Sequence, residues 1–448
     1  MSDAIQIQPV KPFDLTLSPP GSKSLTNRAL LIAALAEGRT TLDGVLFADD
    51  TRRMLDALQT LGFELDIDEA AKRVAVDGRA GSIPSDHAEL HLGNAGTAMR
   101  FLTAALCLGH GTYSLDGIER MRERPIGELV EPLRQLGAQI EYLGQDGYPP
   151  LKISDSAYFE GGFVTLKPTL SSQFISALLI AGPCTPRGVT LTFDGPITSL
   201  PYIKMTLRLM KHFGVTYEWG GPKKNAVRVT ANAYRARDYT IEPDASNASY
   251  FLAAAAAVPG SRCTIEHLGG ESVQGDAEFC SILGLMGCGV DQRTHQTTVA
   301  APANGRLKGV DVKLNQMPDM AQTLAALAIL ADGPTTIRKV GNLRVKETDR
   351  MEAIRVELTK LGATVELRGD DIHIKPPPKA TDGPGNAITP ASVDTYDDHR
   401  MAMAFSVIGL AAPPGTVTIN DPDCVNKTYP NYWEDLQKIQ LAETASAQ

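Results

Sequence analysis

An internal repeat of about 75 residues constrains the fold of this 448-residue chain more than any other feature. One marker of the repeat is an amphipathic helix that ends in glycine, as in LQTLG, LRQLG, MKHFG, LGLMG and LTKLG. These glycines follow one another at steps of 75, 77, 73 and 75 residues: Gly62, Gly137, Gly214, Gly287 and Gly362. Glycine suits the positive φ of the residue just beyond a helix C-terminus. The spacing predicts repeated helix–turn–strand units.

A second marker of the repeat recurs at about the same spacing as the first one. It is an Ala- and Leu-rich helix, a Gly or Pro, a short β-run and a turn, and it occurs six times, from NRALLIAALAEGRTTLDG to HRMAMAFSVIGLAAPPGTVTIND. We interpret the chain as six strand–apolar helix–strand–amphipathic helix–strand–strand units, which divide as three plus three. The apolar helices are hydrophobic on nearly all sides, which predicts core helices. The alternative is the loose helix–strand rhythm of any α/β protein.

Composition and charge exclude several classes of protein. A net charge of −9 and a pI of about 5.5 argue against a nucleic-acid binder. The six cysteines form no C-x-x-C pair, so we expect reduced thiols and neither disulfides nor zinc. MSDAIQIQPV lacks the marks of a signal or transit peptide, and no apolar run is long enough for a membrane span. We expect a cytoplasmic monomer without membrane contact; a mature plastid protein is the alternative.

Cations stand where several of the apolar helices begin. Lys23, Arg28, Arg100 and Arg400 lie in or near first turns, where a cation opposes the helix macrodipole. This placement becomes favourable when an anion binds there, because free N–H groups and cations then face the same phosphate or carboxylate. Solvated surface cations are the alternative interpretation.

Three further stretches carry Lys and Arg residues of the same kind. They are RMRERPIGELV, VKETDR and VNKTYPNYW, with Arg120, Arg122 and Arg124, then Lys346, Glu347 and Arg350, then Lys427. Asp319 begins another apolar helix in MPDMAQTL, and Asp397 and Asp398 precede Arg400. A carboxylate among cations stays ionised and is suited to proton transfer. Helix capping by Asp319 and a helix ion pair of Glu347 are the structural alternatives.

Several common catalytic motifs do not occur. The sequence has no G-x-x-x-x-G-K-[ST], complete G-x-G-x-x-G, H-E-x-x-H or G-x-S-x-G. Nucleotide-dependent kinases, dehydrogenases, zinc proteases and α/β-hydrolases therefore lose their expected signatures. We expect no cofactor and no metal.

The motifs taken together resemble those of a known family. PGSKSLTNRALLIAALAEG, GNAGTAMR, RMRERPIGEL, SSQFISALL, MPDMAQTLA, NLRVKETDR, DDHRMAMAF and NKTYP are similar to the motifs of 5-enolpyruvylshikimate-3-phosphate synthases, in the family's order and spacing from Pro20 to Pro430. The resemblance implies two similar α/β domains, each of three βαβαββ units with helices inside and sheets outside. Residues 21–243 would form the shikimate 3-phosphate side. Residues 1–20 and 244–448 would carry the phosphoenolpyruvate and acid–base side, with the active site in the cleft between the two and hinges near residues 20–21 and 242–244.

The resemblance also implies the reaction. The enolpyruvyl group of phosphoenolpyruvate passes to the 5-hydroxyl of shikimate 3-phosphate by addition–elimination and phosphate leaves, a step in chorismate and aromatic amino acid biosynthesis. By the same resemblance, shikimate 3-phosphate is bound by Lys23, Ser24, Arg28, Ser171, Ser172, Gln173, Ser199, Tyr202, Asp319, Asn342 and Lys346. Phosphoenolpyruvate is bound by Lys23, Gly96, Arg124, Gln173, Arg350, Arg400 and Lys427. Asp319 corresponds to the proton acceptor, Glu347 to the proton donor, and Lys23 touches both substrates. The halves are expected to close on the ligands.

One position departs from the family pattern. Phe101 follows the Arg of GNAGTAMR, where many relatives have Pro. The change either shifts the helix and Gly96 slightly or only repacks the core, so the resemblance does not imply sensitivity to glyphosate.

Two other functions remain as alternatives. A UDP-N-acetylglucosamine enolpyruvyl transferase would have Lys-Asn in the first motif, where this chain has Lys23-Ser24. It would also carry a reactive cysteine in a loop, and the corresponding stretch here, RMRERP, contains no cysteine. A non-catalytic repeat scaffold would be expected to have lost some charged motif residues, and these are present.

Overall fold

The structure is a computed structural model, and it describes residues 3–156, 158–167, 171–221, 225–381 and 385–442. Contacts divide the chain into two compact units. The first unit is Gly21–Glu242, and the second unit combines Met1–Pro20 with Pro243–Gln448.

Helices and short strands are interspersed along the described residues. The helices are α1 (Lys23–Leu35), α2 (Asp49–Thr60), α3 (Gly96–Leu106), α4 (Glu119–Arg122), α5 (Gly127–Gln135), α6 (Ser172–Ala181), α7 (Leu200–His212), α8 (Ala245–Ala257), α9 (Phe279–Leu285), α10 (Ala321–Ala328), α11 (Arg350–Lys360), α12 (His399–Ala411) and α13 (Tyr432–Ala442). The strands are β1 (Ala4–Gln6), β2 (Asp14–Leu17), β3 (Glu37–Asp43), β4 (Glu64–Asp68), β5 (Arg73–Arg79), β6 (His87–His91), β7 (Thr112–Asp116), β8 (Gln139–Tyr142), β9 (Leu151–Ser154), β10 (Gly162–Leu166), β11 (Val189–Phe193), β12 (Tyr217–Gly220), β13 (Ala226–Val229), β14 (Tyr239–Thr240), β15 (Arg262–Glu266), β16 (Gly289–Gln292), β17 (Gln296–Ala300), β18 (Asp311–Lys313), β19 (Thr335–Arg338), β20 (Thr364–Arg368), β21 (Asp371–Lys375), β22 (Ala391–Val393) and β23 (Val417–Asn420).

The first unit contains three four-stranded sheets of the same design. Their strand orders are β14-β3-β5-β4, β6-β7-β9-β8 and β10-β11-β13-β12. In each sheet the first pair is parallel and the other two pairs are antiparallel. Helices α3 and α6 join the parallel pairs of the second and third sheets, because parallel strands need a long crossover connection. In the first sheet the parallel neighbour of β3 is β14, which comes from the C-terminal end of the unit. It occupies the position expected for a strand that precedes α1.

The second unit repeats this design with one change. Two sheets have the orders β16-β17-β15-β2 and β18-β19-β21-β20, and β2 near the N-terminus pairs in parallel with β15. The last sheet has three strands in the described residues, in the order β1-β23-β22. The antiparallel neighbour of β23 is β1, which comes from the N-terminal end of the chain. In the other sheets this position is taken by a strand that follows later in the same repeat unit. In the sixth unit, β23 is followed by α13. The prediction of two closing strands in the sixth unit was therefore wrong.

The apolar helices form the cores of the two units, as the sequence predicts. In α1, all residues from Leu25 to Leu35 are buried, and in α12 all residues from His399 to Leu410 are buried. Helices α3, α6, α8 and α10 are similarly enclosed. Burial on all sides explains why these segments lack the polar stripe of a surface helix.

The glycines at the repeat positions all have positive φ. Their φ angles are 85°, 104°, 87°, 102° and 96° at Gly62, Gly137, Gly214, Gly287 and Gly362. The interpretation of these glycines as residues just beyond helix C-termini is confirmed. Within the described residues, no helix has both the length and the hydropathy that a membrane span requires.

Candidate active site

The start of α1 is organised by a cap and a buried ion pair. Ser22 is the N-cap and its Oγ accepts a hydrogen bond from the backbone of Leu25 at 3.4 Å. Lys23 follows at the first helical position, and its Nζ lies 3.1 Å from Oδ2 of Asp50. The two side chains are only 12% and 4% exposed. Asp50 therefore holds the lysine that the resemblance assigns to both substrates.

Arg28 lies one turn further along α1, inside the first unit. Its Nε donates to Oγ1 of Thr206 at 2.7 Å, and its other two nitrogens donate to the carbonyl of Ser24 at 2.9 Å and to Oγ of Ser176 at 3.3 Å. Burial lowers the pKa of Arg28 to about 10, while Tyr202 acts in the opposite direction. The guanidinium still carries its charge at neutral pH, so the placement favours an anion nearby.

The starts of α6 and α7 carry the remaining polar residues predicted in the first unit. Ser171 caps α6 and accepts from the backbone of Gln173 at 3.2 Å, and Ser172 is buried beside it. The side chain of Gln173 donates to Oγ1 of Thr97 at 3.4 Å, which links the starts of α6 and α3. Ser199 precedes α7 with a φ of 57°, and the backbone of Tyr202 donates to its carbonyl.

Two guanidinium groups pack against Gly96 at the start of α3. A Cβ at Gly96 would lie 2.6 Å from Nη2 of Arg124 and 2.9 Å from Nη1 of Arg100. Arg124 is held by Asn94, whose side-chain and backbone oxygens accept from its Nη1 at 2.8 and 3.0 Å. Arg100 donates to the carbonyls of Gly96 and Pro125. A side chain at this position would displace both guanidinium groups.

A cluster of charges in the second unit surrounds Asp319. Oδ1 of Asp319 lies 3.1 Å from Nη1 of Arg350 and 3.6 Å from Nζ of Lys346, and its Oδ2 lies 3.0 Å from Nη2 of Arg400. Burial alone would raise the pKa of Asp319. The cations of Arg400, Lys346 and Arg350 outweigh burial and lower it well below the ordinary value. The carboxylate is therefore ionised at neutral pH.

Arg350 connects this carboxylate to two others. Its Nη2 lies 2.9 Å from Oε2 of Glu347, and its Nε lies 2.6 Å from Oδ2 of Asp398. Burial opposes the charge of Arg350, but Asp398, Glu347 and Asp319 raise its pKa above the ordinary value. Asp398 also caps α12 through the backbone of Arg400 at 2.9 Å. The cluster thus pairs three cations with three carboxylates.

The structural alternatives for the two proposed proton-transfer residues have different outcomes. Asp319 lies within a 3₁₀ turn, Pro318–Met320, and its carboxylate accepts from guanidinium groups, so the capping interpretation is wrong. Glu347 does form the ion pair with Arg350 three residues later. Asp349 is the N-cap of α11 and accepts from the backbones of Met351 and Glu352 at 3.1 Å.

Asn342 and Lys427 complete the predicted set in the second unit. Asn342 lies in the 3₁₀ segment Gly341–Val345, and its buried Oδ1 has no hydrogen-bond partner among the described residues. Lys427 ends another 3₁₀ segment and is buried. Burial raises the pKa of the neighbouring Asp397, and the ammonium of Lys427 opposes this rise.

The structure adds supporting residues that the sequence reasoning did not assign to the site. Asp50 and Asn94 hold Lys23 and Arg124, and the hydroxyl of Tyr250 accepts from Nη1 of Arg400 at 3.2 Å. Asp398 was noted only as a carboxylate near Arg400. The sequence could have indicated Asn94 as a site residue, because it lies in the motif GNAGTAMR two residues before Gly96. No local pattern distinguishes Asp50 or Tyr250, because their partners are distant in sequence.

The described residues contain no group of three His, Cys, Asp or Glu side chains arranged to hold a metal ion. All six cysteines are free thiols, and burial raises the pKa of five of them as far as 12 or beyond: Cys107, Cys184, Cys263, Cys288 and Cys424. Such thiols are poor nucleophiles.

In the described residues, six small α/β sheets with buried cations at several helix starts define a class of α/β protein suited to binding small anionic ligands. Comparison with known proteins agrees with this class. The family model for EPSP synthase (3-phosphoshikimate 1-carboxyvinyltransferase) matches residues 7–436, so the chain belongs to the EPSP synthase family. This match favours shikimate chemistry over the UDP-N-acetylglucosamine and scaffold alternatives.

Individual relatives give the same result. The chain is 46% identical to the 3-phosphoshikimate 1-carboxyvinyltransferase of Serratia proteamaculans, with 99% of this chain and all of that protein covered. It is 46% identical to the chloroplastic enzyme of Brassica napus, with 97% and 85% covered. A solved EPSP synthase from Acinetobacter baumannii superposes with a TM-score of 0.78 at 25% identity, with 97% of both chains covered. The inside-out α/β fold and the EPSP synthase reaction of the shikimate pathway, predicted from the sequence, are confirmed.

Proposed function

We propose that Asp319, Glu347 and Lys23 carry out proton transfer and charge stabilisation while the enolpyruvyl group moves from phosphoenolpyruvate to the 5-hydroxyl of shikimate 3-phosphate. The observation that carries this assignment is the cluster around Asp319, in which one partly buried carboxylate contacts Lys346, Arg350 and Arg400. A carboxylate that stays ionised is available to accept the hydroxyl proton.

Glu347 is the proposed donor of the proton to the methylene carbon of phosphoenolpyruvate. Its Oε2 pairs with Arg350 at 2.9 Å, and Arg350 belongs to the proposed phosphoenolpyruvate set. An anionic substrate that recruits the guanidinium of Arg350 competes with Glu347 for it. Binding would therefore weaken the ion pair between Arg350 and Glu347 and release the Glu347 carboxyl for proton transfer.

The proposed binding residues match the charges of the two substrates. Phosphoenolpyruvate carries a carboxylate and a phosphate, and shikimate 3-phosphate carries one of each. The proposed phosphoenolpyruvate contacts in the first unit, Gly96 and Arg124, lie against each other, and those in the second unit, Arg350 and Arg400, share Asp319. Cations held in place before the reaction stabilise developing charge without a reorganisation cost at that moment.

The remaining proposals concern the setting of the reaction. We propose a monomer that needs no cofactor and works in the cytoplasm. The relatives include bacterial enzymes and chloroplastic plant enzymes, so fractionation of the source cells is the direct measurement of location.

A phosphate-release assay tests the residue roles. With both substrates present, Asp319→Asn and Glu347→Gln should each lower kcat by about 10²- to 10⁴-fold, the usual contribution of a positioned acid or base. Glu366→Gln is the matched control, because Glu366 is an exposed carboxylate of the same unit that pairs only with the nearby Arg368 in the described residues. Normal turnover in both test variants would refute the assignment. Phosphate release with UDP-N-acetylglucosamine in place of shikimate 3-phosphate would refute the proposed acceptor.

A further inference from the structure

The guanidinium of Arg28 lies over the aromatic ring of Phe101. The distance from Cζ of Arg28 to the ring centroid is 4.9 Å, within the range of a cation–π contact. The two side chains come from different helices of the first unit, α1 and α3, and are 2% and 0% exposed. A contact of this kind is strongest where water is excluded, as it is here.

Arg28 has no carboxylate partner within ion-pair distance in the part of the chain that the structure describes. Its hydrogen bonds go to two hydroxyls and one backbone carbonyl, on Thr206, Ser176 and Ser24. The negative face of the Phe101 ring is the remaining favourable contact for its charge. This environment contrasts with that of Arg350, which is neutralised by carboxylates.

We infer that Phe101 is a positioning residue that fixes the guanidinium of Arg28 for an anionic substrate without neutralising it. A carboxylate in the same place would orient Arg28 but compete with the substrate anion. An aromatic ring orients the planar group and leaves its full charge, because stacking and cation–π attraction involve no counter-ion. The inference rests on the proposed function in one respect, namely that shikimate 3-phosphate is the anion at Arg28.

Phe101 could also influence the site through the start of α3. The experiment must distinguish this effect from the contact with Arg28. It lies in α3, the helix that begins at Gly96 beside Arg124. An effect through the helix start would change the binding of phosphoenolpyruvate. An effect through the ring and Arg28 would change the binding of shikimate 3-phosphate.

Calorimetric titration with shikimate 3-phosphate tests the inference in Phe101→Leu, which keeps an apolar side chain but removes the ring. We expect about 2- to 30-fold weaker binding, the range of a single cation–π contact at partly to fully desolvated sites. The KM for phosphoenolpyruvate should stay within about 2-fold of the unsubstituted value, because Gly96 and Arg124 keep their places. In an Arg28→Gln background, Phe101→Leu should cause no further loss, because the contact is already absent.

Phe213→Leu is the matched control. Phe213 is a fully buried aromatic residue of the same unit that packs on His212 and Tyr239, and its ring makes no cation–π contact with an arginine of the described residues. This variant should lower Tm as Phe101→Leu does, yet bind shikimate 3-phosphate normally. Unchanged binding in Phe101→Leu, or additive losses in the double variant, would overturn the inference.

The same titration separates this inference from the proposed function. If the unsubstituted protein binds shikimate 3-phosphate but releases no phosphate with phosphoenolpyruvate, the proposed function fails and the binding results for Phe101→Leu still support the inference. If Arg28→Gln binds as tightly as the unsubstituted protein, the inference fails whatever the turnover is.

Discussion

Arg350 and Asp398 form a two-point contact inside the second unit. Nε of Arg350 lies 2.6 Å from Oδ2 of Asp398, and its Nη2 lies 3.2 Å from Oδ1. The side chains are 1% and 0% exposed. Because Asp398 also caps α12 through the backbone of Arg400, one carboxylate orients both arginines of the proposed phosphoenolpyruvate set in this unit. Such parallel donor geometry fixes a guanidinium more firmly than a single contact.

Asp398→Asn should destabilise the second unit and weaken phosphoenolpyruvate binding. Asparagine retains the capping oxygen, but Arg350 loses a buried counter-charge, and removing one partner of a buried pair costs about 3–5 kcal/mol. Urea denaturation should show a lower midpoint, and KM for phosphoenolpyruvate should rise. Asp311→Asn breaks an exposed pair with Arg338 in the same unit and should change neither quantity noticeably. Equal midpoints for the two variants would contradict the importance of the buried pair.

The stability contributed by Asp319 should decrease in acid. Its ordinary pKa of 3.8 is lowered in the folded protein because Arg400, Lys346 and Arg350 outweigh burial. A lowered carboxyl pKa contributes stability that is complete above the unfolded value and is lost as pH falls below it towards the folded value. The difference in the free energy of unfolding between the unsubstituted protein and Asp319→Asn should therefore be constant from about pH 7 to 5 and shrink from about pH 4 downward.

Urea titrations at several pH values measure this difference directly. Comparing the two proteins at each pH cancels the titration of carboxylates that lie far from Asp319. A difference that grows as pH falls would mean that Asp319 is protonated more readily in the folded state than in the unfolded state. That result would contradict the ion-pair cluster seen around Asp319.

The sequence was sufficient for features that depend on local pattern. Helix period and glycine spacing predicted the repeats, because an all-apolar helix must be buried and a helix end favours a residue of positive φ. The cations at the helix starts were visible because they oppose the macrodipole. The sixth sheet differs because β1, at the opposite end of the chain, pairs with β23, and no local signal encodes such a long-range pairing.

Partners of the site residues were harder to predict. Lys23 and Asp50 lie 27 residues apart, and Arg350 and Asp398 lie 48 apart, so each contact depends on how helices pack. The stacking of Arg28 on Phe101 depends on the packing of α1 against α3. Phe101 departs from the family pattern, but its contact with Arg28, an arginine of the proposed shikimate 3-phosphate set, is visible only in the three-dimensional structure.

Gly96→Ala should impair phosphoenolpyruvate binding with little loss of stability. The new methyl would lie 2.6 Å from Nη2 of Arg124 and 2.9 Å from Nη1 of Arg100, so both guanidinium groups must move. They are the ends of flexible side chains, so the protein can accommodate the methyl. A displaced binding group nevertheless costs on the order of 10- to 100-fold in function, which should appear as a higher KM for phosphoenolpyruvate.

Gly220→Ala is the control for this substitution. Gly220 lies in β12 of the same unit, and nothing is within 4 Å of a Cβ placed there. Steady-state kinetics should show normal KM values for it. If Gly96→Ala instead unfolds at markedly lower urea than Gly220→Ala, the effect is structural and the steric argument about the arginines fails.

Tyr396→Phe should loosen the turn that precedes α12. Tyr396 and Asp397 have φ angles of 57° and 53°, values that are uncommon for residues other than glycine, and Asp398 follows them as the N-cap. The Tyr396 hydroxyl donates to Oε1 of Glu357 at 2.6 Å, and the Glu357 side chain is fully buried. This hydrogen bond helps to hold the two residues in their unfavourable conformation, so its removal should shift the N-cap of α12.

We expect Tyr396→Phe to cost about 1 kcal/mol of stability, since a hydrogen bond to a charged group is involved but Tyr396 is partly exposed. The KM for phosphoenolpyruvate should rise several-fold through Asp398 and Arg400, while the KM for shikimate 3-phosphate should change less. Tyr158→Phe removes a hydroxyl from a tyrosine that is 76% exposed and serves as the control. Equal effects on the two KM values would indicate general loosening of the second unit, and no effect on either would show that the turn keeps its conformation without this hydrogen bond.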